Sequence, residues 1–321
     1  MSQANDLIAR FVVQYGLRVI SDGDLDGIFA CGILLRGLNR KNIKAVSFPH
    51  PSKLHGLKVK NSILIEMPLT RGVLYLGSNI LIDHHPEPPR VELFEGSTLK
   101  ERIVIENVKS VASLVYSIYR DSLELPRIAE KILSAVDNVD NGVYVNDIDR
   151  DIHYAYLINK TNENMRYQLL EMIINNKWFD ILDWIRSESK KYKEYVPKKV
   201  DELVDRAIEI YPGVALFCYD IDDKIESAAM GNAMFKLEEK YKIVIGLGTK
   251  NNKPEKARIA TKKNMNLKPL YSFFISLGFS SGGRKNVGGV QFLGKIDSTE
   301  EAKKIFTTAI QKIEKQLAPQ A

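Results

Sequence analysis

Short apolar segments alternate with helical stretches through the first half of the chain, and this alternation constrains the fold most. Five β-branched runs bounded by turn residues or charges are predicted as strands, at residues 17–21, 43–48, 62–66, 79–83 and 102–106. Helices are predicted at 25–38 and 110–120. Because strands separated by helices usually pair in parallel, we expect an α/β domain whose parallel sheet carries helices on both faces.

The second half predicts a helical segment and then a second, smaller α/β domain. Apolar residues recur at helical spacing over 162–175, 179–193 and 198–210, on either side of Pro197. The turn at 211–213 is followed by predicted strands at 214–219, 241–247, 257–261 and 289–293 and a helix at 299–316. A chain of 321 residues accommodates two cores. We therefore expect domains at 1–195 and 213–321, joined by a helical connector at 196–212.

Composition excludes several classes of protein. The longest apolar run, residues 27–35, is far shorter than the roughly 20 residues that span a bilayer. The N-terminal sequence lacks the basic start and apolar stretch of a secretory signal. Cys31 and Cys218 lie in separate apolar runs, so we interpret them as reduced core residues. These features predict a cytoplasmic protein with no membrane partner.

Positive charge is concentrated in one part of the chain. The net charge is +6, and residues 241–290 hold ten Lys or Arg but only one acidic residue, Glu255. The acidic motifs described next lie in the first half. This division predicts an acidic site in one domain and a basic surface, suited to a polyanion, in the other.

The first acidic motif follows a predicted strand directly. Asp22, Asp24 and Asp26 alternate along the chain, and Gly27 allows the chain to turn into a helix. Carboxylates crowded in this way repel one another unless a cation lies between them, and hard divalent ions prefer oxygen ligands. The alternative is an acidic loop or a helix N-cap, where Asp is also favoured.

The second motif ends another apolar strand. Asp83, His84 and His85 are consecutive, so neighbouring imidazoles point in different directions and one can bind metal while the other faces substrate. Asp83 is suited to orient a ligating histidine through a hydrogen bond.

Together the two motifs resemble the DHH phosphoesterase superfamily, which includes RecJ-type exonucleases, oligonucleotide-degrading nanoRNases and family II pyrophosphatases. The three alternating aspartates are most similar to the RecJ branch. The small-residue helix at 110–116 and the helix that carries Asp137, with Asp140 one turn on, extend the resemblance. The glycine-rich segment at 280–289 resembles the DHH-associated substrate-binding (DHHA1-like) domain.

The resemblance implies a role for each matching residue. Asp22 and Asp24 would bind one Mn²⁺ or Mg²⁺ ion, while Asp26, His84 and Asp137 would bind a second; Asp140 stays open as an alternative to Asp137. His85 and Asp83 would be the catalytic residues, with His85 at the scissile phosphate. The residues expected to bind substrate are Gly282, Gly283, Arg284, Lys285, Asn286, Gly288, Arg258, Lys262 and Lys263.

Two positions depart from the family pattern. Where the family carries an aspartate that bridges both metals, the acidic residue between the two motifs is Glu66, whose extra methylene shifts the carboxylate by roughly 1 Å. Where the glycine-rich segment usually ends in histidine, this chain has Arg284, which is a competent phosphate ligand but not a proton donor of the same kind. His50, His55 and His153 match no family position, and we expect structural or surface roles for them.

The leading expectation is a metal-dependent exonuclease that hydrolyses single-stranded DNA or RNA, or short oligonucleotides, between the two domains through a water activated by two ions. One alternative is a phosphodiesterase for cyclic dinucleotides. Another is a non-catalytic RecJ-like component of a replication complex, bound to GINS and the helicase; Glu66 favours it, and the retention of the other acidic residues argues against it.

Overall fold

The structure is a computed structural model, and it describes residues 3–49, 54, 56–67, 72–84, 88–160, 162–262, 265–292 and 294–317. The chain divides into two compact units, Met1–Ser189 and Lys190–Ala321. The helix Trp178–Asp205 continues across this boundary.

The first unit is built on a six-stranded sheet with the strand order β2-β1-β4-β6-β7-β8. Its strands, with the two strands of a small second sheet, are β1 Val19–Ser21, β2 Val46–Ser47, β3 Lys58–Lys60, β4 Ile63–Ile65, β5 Leu74–Leu76, β6 Ser78–Asp83, β7 Arg90–Glu95 and β8 Thr98–Val104. Neighbours from β2 to β6 pair in parallel, whereas β7 and β8 are antiparallel. The parallel strands β1, β4 and β6 therefore end at the same edge of the sheet.

Helices of the first unit pack together on one face of this sheet. They are α1 Gln3–Tyr15, α2 Leu25–Gly37, α3 Val111–Tyr119, α4 Arg127–Asp140, α5 Asp147–Asn159, α6 Glu163–Ile174 and the first part of α7, which spans Trp178–Asp205. Alternate strand residues, among them Val19, Ile63 and Ile80, belong to the core that these helices share. This period of two is what a strand with one helix-covered face requires.

The opposite face of the sheet has a different cover. Ile20, Leu64 and Leu81 pack there with Val59 of β3 and with Val73, which directly precedes β5; β3 and β5 form a small parallel sheet. The mixed α/β class and the parallel strands are confirmed. We expected helices on this face as well. Within the described residues, the short strands β3 and β5 lie there instead. These strands are too brief for sequence periodicity to reveal.

The second unit has its own six-stranded sheet, ordered β13-β14-β12-β11-β10-β9. The strands are β9 Ile208–Tyr211, β10 Val214–Asp220, β11 Ile243–Lys250, β12 Lys253–Ala260, β13 Ser280–Gly283 and β14 Val287–Gln291. The helices are α8 Lys224–Leu237, α9 Lys268–Ser276 and α10 Thr299–Leu317. Phe274, Phe292 and Phe306 form the aromatic centre of the core beneath α9 and α10.

One prediction in this region was wrong in detail. The helical pattern continues through Pro197 within a single helix, but residues 208–210 form a strand rather than a helical end. Proline is tolerated here because a long helix loses a single hydrogen bond around it, and flanking packing retains the rest. No helix in the described part of the chain combines the length and apolar character needed to cross a bilayer.

Candidate metal centre

Three neighbouring parallel strands bring the acidic motifs to one edge of the first sheet. Ser21, Ile65 and Ile82 are directly paired across β1, β4 and β6. Asp22 and Glu66 directly follow β1 and β4, so they reach the carboxyl edge at the same level. His84 directly follows Asp83, the last residue of β6. In open α/β sheets, this edge is where ligands bind.

One group of ligands consists of Asp26, Glu66, His84 and Asp140, whose ligand atoms all lie within 4.8 Å of one another. The His84 Nε2 atom lies 3.5 Å from the Glu66 Oε1 atom and 3.4 Å from the Asp140 Oδ2 atom. It is 3.8 Å from the Asp26 Oδ2 atom. Side-chain exposure ranges from 1% for Asp26 to 14% for Asp140, so the group is shielded from water.

A second group consists of Asp22, Asp24 and Glu66, again with ligand atoms within 4.8 Å of one another. Glu66 belongs to both groups. Asp24 is at the same time the N-cap of α2, because its Oδ1 atom accepts a hydrogen bond from the Gly27 N–H at 2.9 Å. The N-cap alternative is therefore correct for Asp24 and compatible with a second role for its other oxygen.

Asp26 is fixed by the beginning of another helix. Its Oδ2 atom accepts a hydrogen bond from the Val111 N–H at 2.7 Å, and its Oδ1 atom accepts one from the Ala112 N–H at 2.8 Å. These donors belong to the first turn of α3, where free N–H groups and the helix dipole stabilise a negative charge. The contact orients the carboxylate and ties α2 to α3.

The carboxylates repel one another strongly in this buried setting. Burial, and then repulsion from Asp24 and Asp26, raise the pKa of Glu66 to about 12. Burial and the charge of Asp24 raise the pKa of Asp22 to about 7, although the Asp22 side chain retains contact with solvent. Burial also raises the pKa of Asp26. A bound cation would offset the repulsion among these three carboxylates, as expected of a metal site.

Glu66 is held in an unusual backbone conformation. Its φ angle is +57°, a backbone conformation that residues other than glycine rarely adopt. Its N–H nevertheless donates to the Ile82 carbonyl at 3.0 Å, so β4 stays paired with β6 to this point. Strain of this kind costs of the order of 1–3 kcal/mol and is concentrated at functional sites.

Gly27 leaves room for these carboxylates. A Cβ atom at this position would lie 2.3 Å from the Ser21 Oγ atom, 2.8 Å from the Asp22 Oδ1 atom and 3.4 Å from the Glu66 Oε2 atom. The glycine of the first motif is thus required by close approach, because α2 begins against the floor of the site.

Asp137 does not join either group. Its Oδ1 atom accepts a hydrogen bond from the Ser110 hydroxyl at 2.6 Å, which links α4 to the N-cap of α3. Asp140, one turn later on α4, reaches the group instead. We therefore replace Asp137 with Asp140 as the candidate ligand.

Asp83 supports the site from behind. It is fully buried, its Oδ1 atom accepts a hydrogen bond from the His84 N–H at 2.8 Å, and Arg90 approaches its Oδ2 atom at 3.4 Å. This placement holds the backbone of His84 and keeps the Asp83 carboxylate buried behind it. His85, the other residue expected to be catalytic, lies outside the described residues, as do His50 and His55. His153 stacks on Tyr144, with ring centroids 5.2 Å apart.

Two residues that the sequence did not indicate lie beside the carboxylates. Arg166 is the one basic residue of α6, and its positive charge lowers the pKa of Asp22 against the larger effect of burial. Tyr156 of α5 has its pKa raised by burial and by the charge of Asp24. Its place as the one basic residue of α6 was the available sequence indication for Arg166.

The glycine-rich segment forms a β-hairpin rather than an open loop. Gly282 and Gly283 belong to β13, and Gly288 belongs to β14. A Cβ atom on Gly288 would lie 2.4 Å from the Gly282 carbonyl oxygen and 2.5 Å from the Tyr271 hydroxyl. Close strand packing is thus one reason for glycine at this position. The turn between the strands exposes Arg284, Lys285 and Asn286 to solvent.

The remaining basic residues are distributed around this turn. Arg258 of β12, Lys262 and Lys285 line one cavity of about 610 Å³ within the second unit. Lys263 lies outside the described residues. The structure therefore brings three of the expected substrate-binding cations into a common pocket.

Comparison with known proteins supports the fold. No family model and no curated protein matches the sequence. The pGpG-specific phosphodiesterase PggH from Vibrio cholerae is similar in structure at 15% identity, with a TM-score of 0.53 over 94% of this chain and 99% of its own. The exonuclease RecJ bound to manganese is similar at 12% identity, with a TM-score of 0.56 over 99% and 94% of the two chains.

RecJ from Thermus thermophilus, in complex with Mn²⁺, is similar at 13% identity with a TM-score of 0.53. The match covers 99% of this chain and 55% of that RecJ. The chain therefore has the fold of these proteins, and the resemblance drawn from its motifs is confirmed at the level of the fold.

Proposed function

We propose that this protein is a metal-dependent phosphodiesterase that hydrolyses single-stranded nucleic acid or short oligonucleotides. The observation that carries the proposal is the convergence of two ligand groups on Glu66 at the carboxyl edge of the sheet. Five carboxylates and one imidazole lie crowded together, and burial raises the pKa of three of them, Asp22, Asp26 and Glu66. Such an arrangement has no evident purpose in stabilising a fold.

The donor set fits a hard divalent cation. Carboxylate oxygens and a single histidine nitrogen suit Mn²⁺ or Mg²⁺ better than a soft metal, which would favour thiolates. Asp26, Glu66, His84 and Asp140 would hold one ion, and Asp22 and Asp24 would hold a second together with Glu66. Bound ions would supply a Lewis acid and an activated water for attack on phosphorus.

The protein's own residues would organise the rest of the reaction. The Val111 and Ala112 amides fix Asp26, and Asp83 fixes the backbone of His84. Arg166 supplies the positive charge beside Asp22, where it is suited to a phosphate oxygen. His85 follows His84 directly, so we keep it as the candidate residue at the scissile phosphate.

The substrate class rests on the second unit and on the similar structures. The cavity lined by Arg258, Lys262 and Lys285 suits a phosphate-containing ligand. PggH is named for pGpG and RecJ is named as an exonuclease, so both a dinucleotide and a longer strand are candidates. The PggH likeness favours a dinucleotide substrate as the second candidate.

A hydrolysis assay tests this proposal. Purified protein would be incubated with Mn²⁺ and with four end-labelled substrates: a dinucleotide, a short oligomer, a long single strand and a cyclic dinucleotide. We expect metal-dependent cleavage of at least one linear substrate, with no product in excess chelator. Cleavage of the cyclic dinucleotide alone would refute the preferred substrate class and leave the metal chemistry in place.

A matched pair of histidine variants separates chemistry from folding. His84→Ala removes a member of the ligand group and should abolish cleavage, whereas His153→Ala removes a half-buried histidine outside both groups and should leave cleavage within about threefold of the wild type. A wild type inert with every metal and substrate, yet tightly bound to a replication protein such as GINS, would favour the non-catalytic alternative.

A further inference from the structure

The cavity in the second unit has an apolar side that phosphate binding does not explain. Its volume is about 610 Å³, within the range of small-molecule sites, and α8, β12 and the turn before β14 form its walls. Met234, Phe235 and Met265 line it together with the basic residues. A site for bare phosphate would need only the cations.

Phe235 is the notable member of this apolar side. It lies near the end of α8, a helix that buries most of its apolar residues, yet its side chain is 59% exposed. The Lys262 Nζ atom lies over its ring, 3.3 Å from the centroid. A phenyl ring exposed at the wall of a basic cavity provides the flat surface on which nucleobases stack.

Backbone hydrogen bonds hold the charged wall of the cavity in place. The Leu267 N–H donates to the Lys285 carbonyl at 2.8 Å, and the Thr261 N–H donates to the Asn286 carbonyl at 3.0 Å. These bonds fix the turn that carries Lys285 beside the end of β12, where Arg258 lies. The sheet thus anchors Arg258 and Lys285, while α8 contributes Met234 and Phe235 to the apolar side.

One carboxylate lies among the basic residues that line the cavity. Glu238 follows α8 and lines the cavity beside Phe235. The charges of Lys262 and Arg258 act on it, although burial raises its pKa on balance. A carboxylate would weaken a site for phosphate alone, but it is a good acceptor for the exocyclic amino group of a base.

We propose that this cavity binds one complete nucleotide of the substrate, with the base against Phe235 and the phosphate on Arg258 and Lys285. Glu238 faces an amino-bearing base, and Lys262 moves from the ring of Phe235 to the phosphate. The proposal deepens the proposed function and rests on it only for the identity of the ligand as nucleic acid. The second unit thus recognises bases as well as backbone charge.

Equilibrium binding to the full chain in chelator tests this assignment without any hydrolysis. The probes are AMP and ribose 5-phosphate, which share the sugar phosphate and differ in the base. We expect AMP to bind about tenfold more tightly, in line with the usual contribution of base stacking. Phe235→Ala should remove this difference and leave ribose 5-phosphate binding unchanged, whereas Lys285→Ala should weaken both probes.

Phe179→Ala is the matched control, because Phe179 is 70% exposed on a helix of the first unit. It should bind both probes as the wild type does. Equal affinity of the wild type for AMP and ribose 5-phosphate, or undiminished AMP binding by Phe235→Ala, would overturn the proposal. Base-selective binding without any hydrolysis would uphold it while the proposed function fails, and hydrolysis without base selectivity would do the reverse.

Discussion

Substitution of Gly27 by alanine should damage the site more than the fold. The added Cβ would lie 2.3 Å from the buried Ser21 Oγ atom and 2.8 Å from the Asp22 Oδ1 atom, both far inside contact distance. The serine hydroxyl and the carboxylate must move, and the Glu66 carboxylate is within 3.4 Å of the same point.

The expected magnitudes differ for stability and for catalysis. Alanine gains about 1 kcal/mol over glycine in a helix interior, while overpacking costs about 1–3 kcal/mol. The free energy of unfolding should therefore fall by about 0–2 kcal/mol. A displacement of about 1 Å in a reacting site can cost about 100-fold in rate, so Mn²⁺-dependent hydrolysis should fall by about two orders of magnitude.

Gly32→Ala on the same helix provides the control. Its Cβ would lie 2.6 Å from the Ile173 side chain, a comparable clash in the apolar core away from the carboxylates. Denaturant unfolding, Mn²⁺ titration and hydrolysis would be measured for both variants. The reasoning is refuted if Gly27→Ala binds Mn²⁺ and cleaves substrate as well as Gly32→Ala does at equal stability.

Three further predictions concern the ligands. Asp140→Asn should weaken Mn²⁺ binding at least tenfold in calorimetric titration, whereas Asp137→Asn should change it less than threefold; the reverse order would restore Asp137 as the ligand. Glu66→Asp withdraws the shared carboxylate by about 1 Å and should reduce kcat about 100-fold; a rise in kcat would indicate an eroded site. Because folding raises the pKa of Asp22 from 3.8 to about 7, the folded metal-free protein binds more protons than the unfolded chain between those values. Its unfolding free energy should therefore fall as pH rises from about 4 to 7, and Mn²⁺ affinity should rise over the same interval. Denaturant titrations at several pH values check the first effect, and stability that rises with pH would contradict it.

Sequence patterns were sufficient to place the site residues that directly follow the end of a strand. Asp22, Glu66 and His84 each follow an apolar run, and parallel pairing then brings them to one edge. No long-range information beyond strand direction was needed for this part of the site.

Residues contributed by helices could not be placed in the same way. Asp137 and Asp140 lie three positions apart on α4, so helical periodicity puts both near one face. Our preference for Asp140 rests on the contact of Ser110 with Asp137, and that contact depends on how α3 and α4 pack. Arg166 reaches Asp22 for a similar reason, through helix packing that no local motif encodes.

The glycine-rich segment shows a different limit of prediction from sequence. Its composition fits both a phosphate-binding loop and a tightly packed hairpin, and the structure shows the hairpin at Gly283 and Gly288. Phe235 was missed because a single exposed aromatic residue in a helix has no distinctive spacing. A binding role for Phe235 can be inferred only from the cavity that it lines.

Anomalous diffraction at the manganese edge, from crystals grown with Mn²⁺, tests the central claim most directly. The account predicts one peak among Asp26, Glu66, His84 and Asp140 and a second among Asp22, Asp24 and Glu66, with Glu66 contacting both. A Glu66→Gln crystal grown in the same way should show weakened density at both positions. Wild-type crystals with no anomalous density at this edge of the sheet, despite saturating Mn²⁺, would contradict the account.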